Sequence, residues 1–69
     1  MPSTVIDRFT YDAAHEILTV VFQSGSVYQY KNVPKNVYLT LKGARSKGGY
    51  LNKYIKGVYE YENIEEADH

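Results

Sequence analysis

From Glu16 to Gln23 the side chains alternate without a break. Leu18, Val20 and Phe22 fall on one face, and Ile17, Thr19 and Val21 on the other. That period of two is the signature of a β-strand. Turn chemistry bounds the run at both ends. Asp12-Ala13-Ala14-His15 precedes it, with an Asp that bonds its own backbone two residues on; Ser24-Gly25-Ser26 follows it, with a Gly that supplies positive φ. Links this short join antiparallel strands. The neighbouring segments fit that demand. Thr4–Tyr11 puts Val5, Phe9 and Tyr11 on one face, and Asp7 on the same face by parity marks a strand end or a bulge. Val27–Lys31 puts Tyr28 and Tyr30 on one face against Val27, Gln29 and Lys31.

After Lys31 the period changes. Asn32-Val33-Pro34 predicts a helix start with Pro in the first turn, where its missing N–H costs nothing. Val37, Tyr38, Leu41 and Ala44 then form one helical stripe, with Lys35, Lys42 and Arg45 off it. The helix is expected to end near Arg45, before Ser46-Lys47-Gly48-Gly49. Tyr50, Leu51, Tyr54 and Ile55 predict a second, shorter helix ending at Gly57. Val58–Glu62 reads as a short strand, and residues 63–69 as a frayed acidic tail.

Sixty-nine residues allow one domain. At that size a single core supplies no more than about 3–5 kcal/mol of net stability. With no Cys there is no disulfide to help and no Cys-based zinc site; two His leave little for any metal, and no cofactor is expected. The expected architecture is α+β: an antiparallel three-stranded β-meander covered by one α-helix and a short second helix, then a C-terminal strand. The expected core is Val5, Phe9, Leu18, Val20, Phe22, Tyr28, Tyr30, Val37, Leu41, Ala44 and Ile55. No apolar run approaches the ~18–20 residues that span a bilayer, and the start carries no basic-then-apolar signal, so a cytoplasmic protein without membrane contact is expected. Catalysis is not expected. His15 beside Glu16 is an ordinary surface pair, and Ser24 and Ser26 lie at the other end of the second strand, out of reach of a triad.

The charges are segregated. Residues 1–30 hold one base against three acids, residues 31–58 seven bases and no acid, and residues 59–69 five acids. A basic block of that density is a footprint for a polyanion; the alternative is a solvated face that keeps a small domain soluble. Lys35, Lys42, Arg45, Lys47, Lys53 and Lys56 would form the patch if the two helices lie side by side. Ser46, Gly48 and Gly49 offer backbone amides before a helix, or simply a turn in which Ser46 is the N-cap. Tyr28 and Tyr30 offer a stacking platform, or core. Glu60, Glu62, Glu65 and Glu66 are placed to fold over the patch and screen it.

In combination, several of these features resemble one family. Tyr11-Asp12, Leu18 and Val20 before Phe22, Ser24-Gly25, Tyr28-Gln29-Tyr30, Val33-Pro34, Ala44, Ser46-Lys47-Gly48, Tyr50, Asn52, Ile55 and Tyr59 fall in the pattern of the KTSC domain. That domain is named for its place at the C-terminus of some lysyl-tRNA synthetases, and it also occurs as small stand-alone bacterial and phage proteins. The likeness runs from Ile6 to Tyr61 and leaves the acidic tail unmatched. It implies one KTSC-like domain over 1–69, RNA contact from the synthetase context, and no catalytic residue. The expected partner is RNA or another polyanion. The alternative is a protein docked on the sheet edge or the Tyr-rich surface, and the chain itself is expected to be a monomer or weak dimer.

Overall fold

The structure, a computed structural model, describes residues 6–64. Four strands form one antiparallel sheet in the order β1 (Ile6–Asp12), β2 (Ile17–Phe22), β3 (Val27–Tyr30), β4 (Tyr61–Ile64). Between β3 and β4 the chain leaves the sheet for α1 (Lys35–Lys42) and α2 (Lys47–Tyr50), which runs straight into a π-helical turn, Leu51–Ile55. One layer of helix therefore covers one face of the sheet, as an α+β arrangement requires.

The two hairpins form as the turn residues dictate. In the first, the Asp12 carboxylate accepts from the Ala14 N–H at 3.1 Å and lies 2.9 Å from Nδ1 of His15. That contact with His15 is the main cause holding the Asp12 carboxyl below its usual range. In the second, Gly25 takes φ +98°, and its N–H donates to the Phe22 carbonyl at 2.9 Å. Asp7 sits in a bulge: the β1–β2 register shifts between Ile6 and Arg8. The extra residue lets Ile6 face the core while Arg8 faces away.

Leu18, Val20, Phe22, Tyr30, Val33, Leu41, Leu51 and Ile55 form the buried core. Val33 and Leu51 are additions to the expected set. Phe9, Tyr28 and Val37 pack at its rim rather than inside it, Ala44 is half-buried, and Val5 lies outside the described residues. Leu51 and Ile55, four residues apart and so on one side of the helical turn, are buried together, and Lys56 N–H closes that turn on the Leu51 carbonyl at 2.7 Å.

Four boundaries differ from the sequence reading. Pro34 is the N-cap of α1, not a first-turn residue: its carbonyl accepts from the N–H groups of Val37 and Tyr38 at 3.0 and 3.3 Å. α1 ends at Lys42, because Gly43 and Ala44 N–H groups close back on Leu39 and Leu41. The second helix starts at Lys47, earlier than expected. The last strand is Tyr61–Ile64, not Val58–Glu62. Gly57 turns left-handed at φ +82°, Val58 and Tyr59 N–H groups both donate to the Ile55 carbonyl, and pairing resumes only where Lys31 N–H meets the Glu60 carbonyl at 2.8 Å. This strand docks beside β3 as the fourth of the sheet, so Asn63 and Ile64 belong to it and not to a frayed tail.

Tyr11 and Tyr30 share a side chain and differ in their hydroxyls. Tyr11 donates to the Val33 carbonyl at 2.6 Å. The Tyr30 hydroxyl is buried with no protein hydrogen-bond partner. Burial first, then the neighbouring Tyr28 and Tyr61 phenols, pushes it up to about 12. The same substitution is therefore expected to act oppositely. Tyr11→Phe orphans a carbonyl and lowers the unfolding temperature by several degrees, whereas Tyr30→Phe leaves stability at neutral pH unchanged or raised. Tyr30 keeps its proton in the fold where the unfolded chain loses it. Its contribution is complete below about pH 10 and is lost as pH rises toward 12. Urea titrations at pH 7 and across that window check both: Tyr30→Phe should show the shallower alkaline decline.

Candidate nucleic-acid interface

α1 buries Leu41 and turns its polar side outward; α2 and the π turn bury Leu51 and Ile55 and do the same. Lys35, Lys42, Arg45, Lys47, Lys53 and Lys56 are consequently all exposed. Lys42 lies 6.0 Å above the Tyr38 ring and Lys53 5.8 Å above the Tyr54 ring, the outer range of a cation–π contact. Lys47 donates to the Ala44 carbonyl at 3.1 Å and so ties α2 to the end of α1. Among the described residues the close charge contacts are Arg8–Asp7, His15–Asp12 and Lys31–Glu62, and none involves these six cations. Lys42 suits the negative end of the α1 dipole, but Lys35 stands in the first turn, where the dipole disfavours a cation. Helix stability does not account for that placement.

The expected acidic screen is not built by Glu62. It pairs in register with Gln29, which alternates with the core-facing Tyr28 and Tyr30. Glu62 thus lies on the face of the sheet away from the helices, 3.8 Å from Lys31. Glu65 and Glu66 lie outside the described residues.

The Ser46–Gly49 segment is a helix start first. Ser46 caps α2, its Oγ accepting from the Gly49 N–H at 3.2 Å. The glycine at 49 has a steric reason: a Cβ there would stand 2.9 Å from that Oγ. One of the amides proposed for an anion is therefore already occupied.

Of the two tyrosines offered for stacking, Tyr30 has no exposed surface, because Leu18 pairs with it across the sheet and the helices close over it. Its role is core. Tyr28 is half-buried and lies parallel to Tyr61, centroids 5.1 Å apart and planes 2° apart. Tyr61, missing from the sequence-derived site, keeps half its surface exposed (52%). Its Tyr-x-Tyr spacing with Tyr59 was visible, but only the β3–β4 register sets it beside Tyr28. Two hollows flank this pair. One of about 190 Å³ is lined by Phe22, Ser24, Ser26, Tyr28 and Lys56; the other, about 470 Å³, by Lys31 and the Gly57–Tyr61 segment. His15 and the two serines sit in turns at opposite ends of β2. No group of three or more metal-ligating side chains occurs among the described residues, and no helix there is long and apolar enough to cross a membrane.

The cap gives a double-mutant cycle. Ser46→Ala removes it and is expected to cost about 1 kcal/mol. Gly49→Ala displaces the same hydroxyl, so in the native background it gains nothing from its better helix propensity. In the Ser46→Ala background the obstruction is gone, and Gly49→Ala should then stabilise by up to about 1 kcal/mol. Thermal unfolding of the four proteins reads the coupling.

A sequence model of the KTSC domain matches residues 2–61. The chain is 44% identical over 61 residues to a lysine–tRNA ligase of Nostoc punctiforme; that match covers 88% of this chain and 11% of the ligase. It is 35% identical over 66 residues to a protein of Stutzerimonas stutzeri, covering 94% of this chain and 93% of that one. A crystal structure of a KTSC domain protein from Yersinia pestis superposes with TM-score 0.85 at 30% identity, covering 93% of this chain and 90% of the other. The chain thus spans about a tenth of the length of the ligase, but nearly all of the two small proteins. By sequence and by fold alike, this chain belongs to the KTSC domain family.

Proposed function

We propose that this domain is a non-catalytic binding module that contacts RNA through the outward side of α1, the loop after it, and α2 with its π turn. The observation that carries the reading is the set of six exposed cations with no acidic partner among the described residues. A surface of this kind neutralises phosphates without reading sequence. Lys35 adds to it, since a cation in the first turn of a helix is kept at a cost to the helix. Similarity to lysine–tRNA ligases supports RNA as the polyanion, because a tRNA stands in their name.

A second reading has its own observation. β4 is an edge strand whose four residues are all exposed; its first residue, Tyr61, and Val58 three residues before it expose more than half their surface. A protein partner, or a second copy in a weak dimer, would pair along it.

Salt separates the two. RNA binding should weaken steeply with salt as counterions are released, whereas an edge-strand interface should hardly respond. Lys35→Glu with Lys42→Glu and Lys53→Glu is expected to abolish binding of single-stranded RNA at low salt. Reverting one position at a time should restore roughly 0.7 of slope in log K against log salt per phosphate contact. Lys35→Glu alone should weaken RNA binding while keeping or raising the unfolding temperature, which excludes unfolding as the cause. Native protein that binds no RNA at low salt would overturn the proposal.

A further inference from the structure

We propose that the Tyr28–Tyr61 stack and the hollow beside it form a clip for a short unpaired strand, one base lying on the open face of Tyr61 and a phosphate further along the strand, past Tyr28, held at Lys56, Ser24 and Ser26. The inference rests on the RNA reading above and narrows it to single strands.

The stack comes first. Tyr61 is covered on one side by Tyr28, in parallel contact at 5.1 Å, with Tyr30 tilted against it at 5.6 Å. Half of its surface remains exposed. The ring is thus held flat by a neighbour whose own ring is braced edge-on by Phe22 at 5.4 Å. A braced aromatic with an open face is what a base stacks on, and every base has a π face to offer.

The hollow adjoins this stack through Tyr28. Its lining combines one ammonium, two hydroxyls and two aromatic rings, in about 190 Å³. That is room for several waters, and so for a phosphate. The hydroxyls of Ser24 and Ser26 lie 3.4 Å apart in the β2–β3 turn, close enough to reach one anion together. Lys56 makes no ion pair among the described residues. The left-handed Gly25 between the serines gives the tight turn that brings them to the same rim.

Charge then sets the direction. The hollow on the other side of Tyr61 is lined by Glu60, and its Lys31 is 3.8 Å from the Glu62 carboxylate. An anion is disfavoured there and favoured at Lys56. A neutral base belongs over Tyr61, and the strand runs past Tyr28 to set a later phosphate on the Lys56 side. A duplex has no unstacked base to place on Tyr61, so the clip discriminates by strandedness where the lysine surface cannot.

The chain has no Trp, so Tyr61→Trp installs a single reporter in the proposed contact and preserves the flat ring. The probes are hexauridylate, a blunt RNA duplex and inorganic polyphosphate, each titrated against native protein, Tyr61→Trp, Tyr61→Leu and Lys56→Glu. Hexauridylate should quench the Trp, and polyphosphate should not. Tyr61→Leu keeps apolar bulk without a π face; it should lose about 5- to 150-fold in hexauridylate affinity and nothing in polyphosphate affinity. Lys56→Glu should weaken both. Unfolding curves confirm that Tyr61→Leu is folded, and the Trp signal answers independently of that variant. Salt-sensitive binding of all three probes, with Tyr61→Leu at native affinity and the Trp unquenched at saturation, overturns the clip and leaves the lysine surface standing. No binding of any probe by native protein overturns both.

Discussion

The peptide around Val33 fixes how the two layers meet. Its side chain is fully buried, its N–H donates to the Glu16 carbonyl at 2.9 Å, and its carbonyl accepts from the Tyr11 hydroxyl at 2.6 Å. Both partners come from the β1–β2 hairpin. The chain leaving β3 is thereby bound back across the sheet before α1 begins, one residue later, at the Pro34 cap. Tyr38 of α1 then stacks on the Tyr11 ring at 4.7 Å. The direction of α1, and with it the descent of Leu41 into the core, follows from this anchorage. Among the described residues, two non-glycines take positive φ: Glu16, whose carbonyl accepts from Val33, at 55°, and Asn32, which precedes Val33, at 57°. Such conformations cost of order 1 kcal/mol or more and persist where surrounding contacts over-determine them. Here those contacts are the two hydrogen bonds of Val33.

A domain this small cannot surround its core, so the residues at its rim must tolerate both water and apolar neighbours. Tyrosine meets that need, which accounts for eight Tyr against two Phe. Seven of the eight, all but Tyr59, fall into aromatic groups rather than being scattered. Phe9, Tyr11 and Tyr38 close the β1 side, Phe22, Tyr28, Tyr30 and Tyr61 the β4 side, and Tyr50 with Tyr54 the outer helix. The β4-side group grades from fully buried Tyr30 to half-exposed Tyr61. A surface that offers aromatic rings is thus a by-product of how the core ends, and function can draw on it without a separate scaffold.

Charge is divided by layer. Six exposed bases lie on the helices and the loops beside them, while Arg8 with Asp7 is exposed on β1 and Glu62 with its partner Lys31 sits at the β3–β4 side of the sheet. A chain with zero formal net charge can in this way carry a segment, residues 31–58, of seven bases and no acid, and the field near a surface follows local placement and not the sum.

Period and turn chemistry alone determined the β1–β2–β3 meander and the helical character of 35–42 and 50–55; they left Asp7 as a strand end or a bulge and Ser46 as a cap or a turn residue, and the fold chose the bulge and the cap. The meander and the helices each depend on residues a few positions apart, which is the range over which side-chain parity and backbone hydrogen bonding act. The basic block was legible for the same reason, since it is contiguous in the chain. The tertiary structure decided what depends on distant partners. Val33 is core because Tyr11 and Glu16 reach it from more than fifteen residues away. Tyr30 is core and Tyr61 exposed, although both sit in Tyr-x-Tyr units, because one lies inside the sheet under the helices and the other on its edge. The position of β4 was set by β3 rather than by its own alternation: Val58–Glu62 alternates as well as Tyr61–Ile64, but only the latter finds open hydrogen-bonding groups opposite. A strand is a pairing, and one sequence segment does not specify its partner.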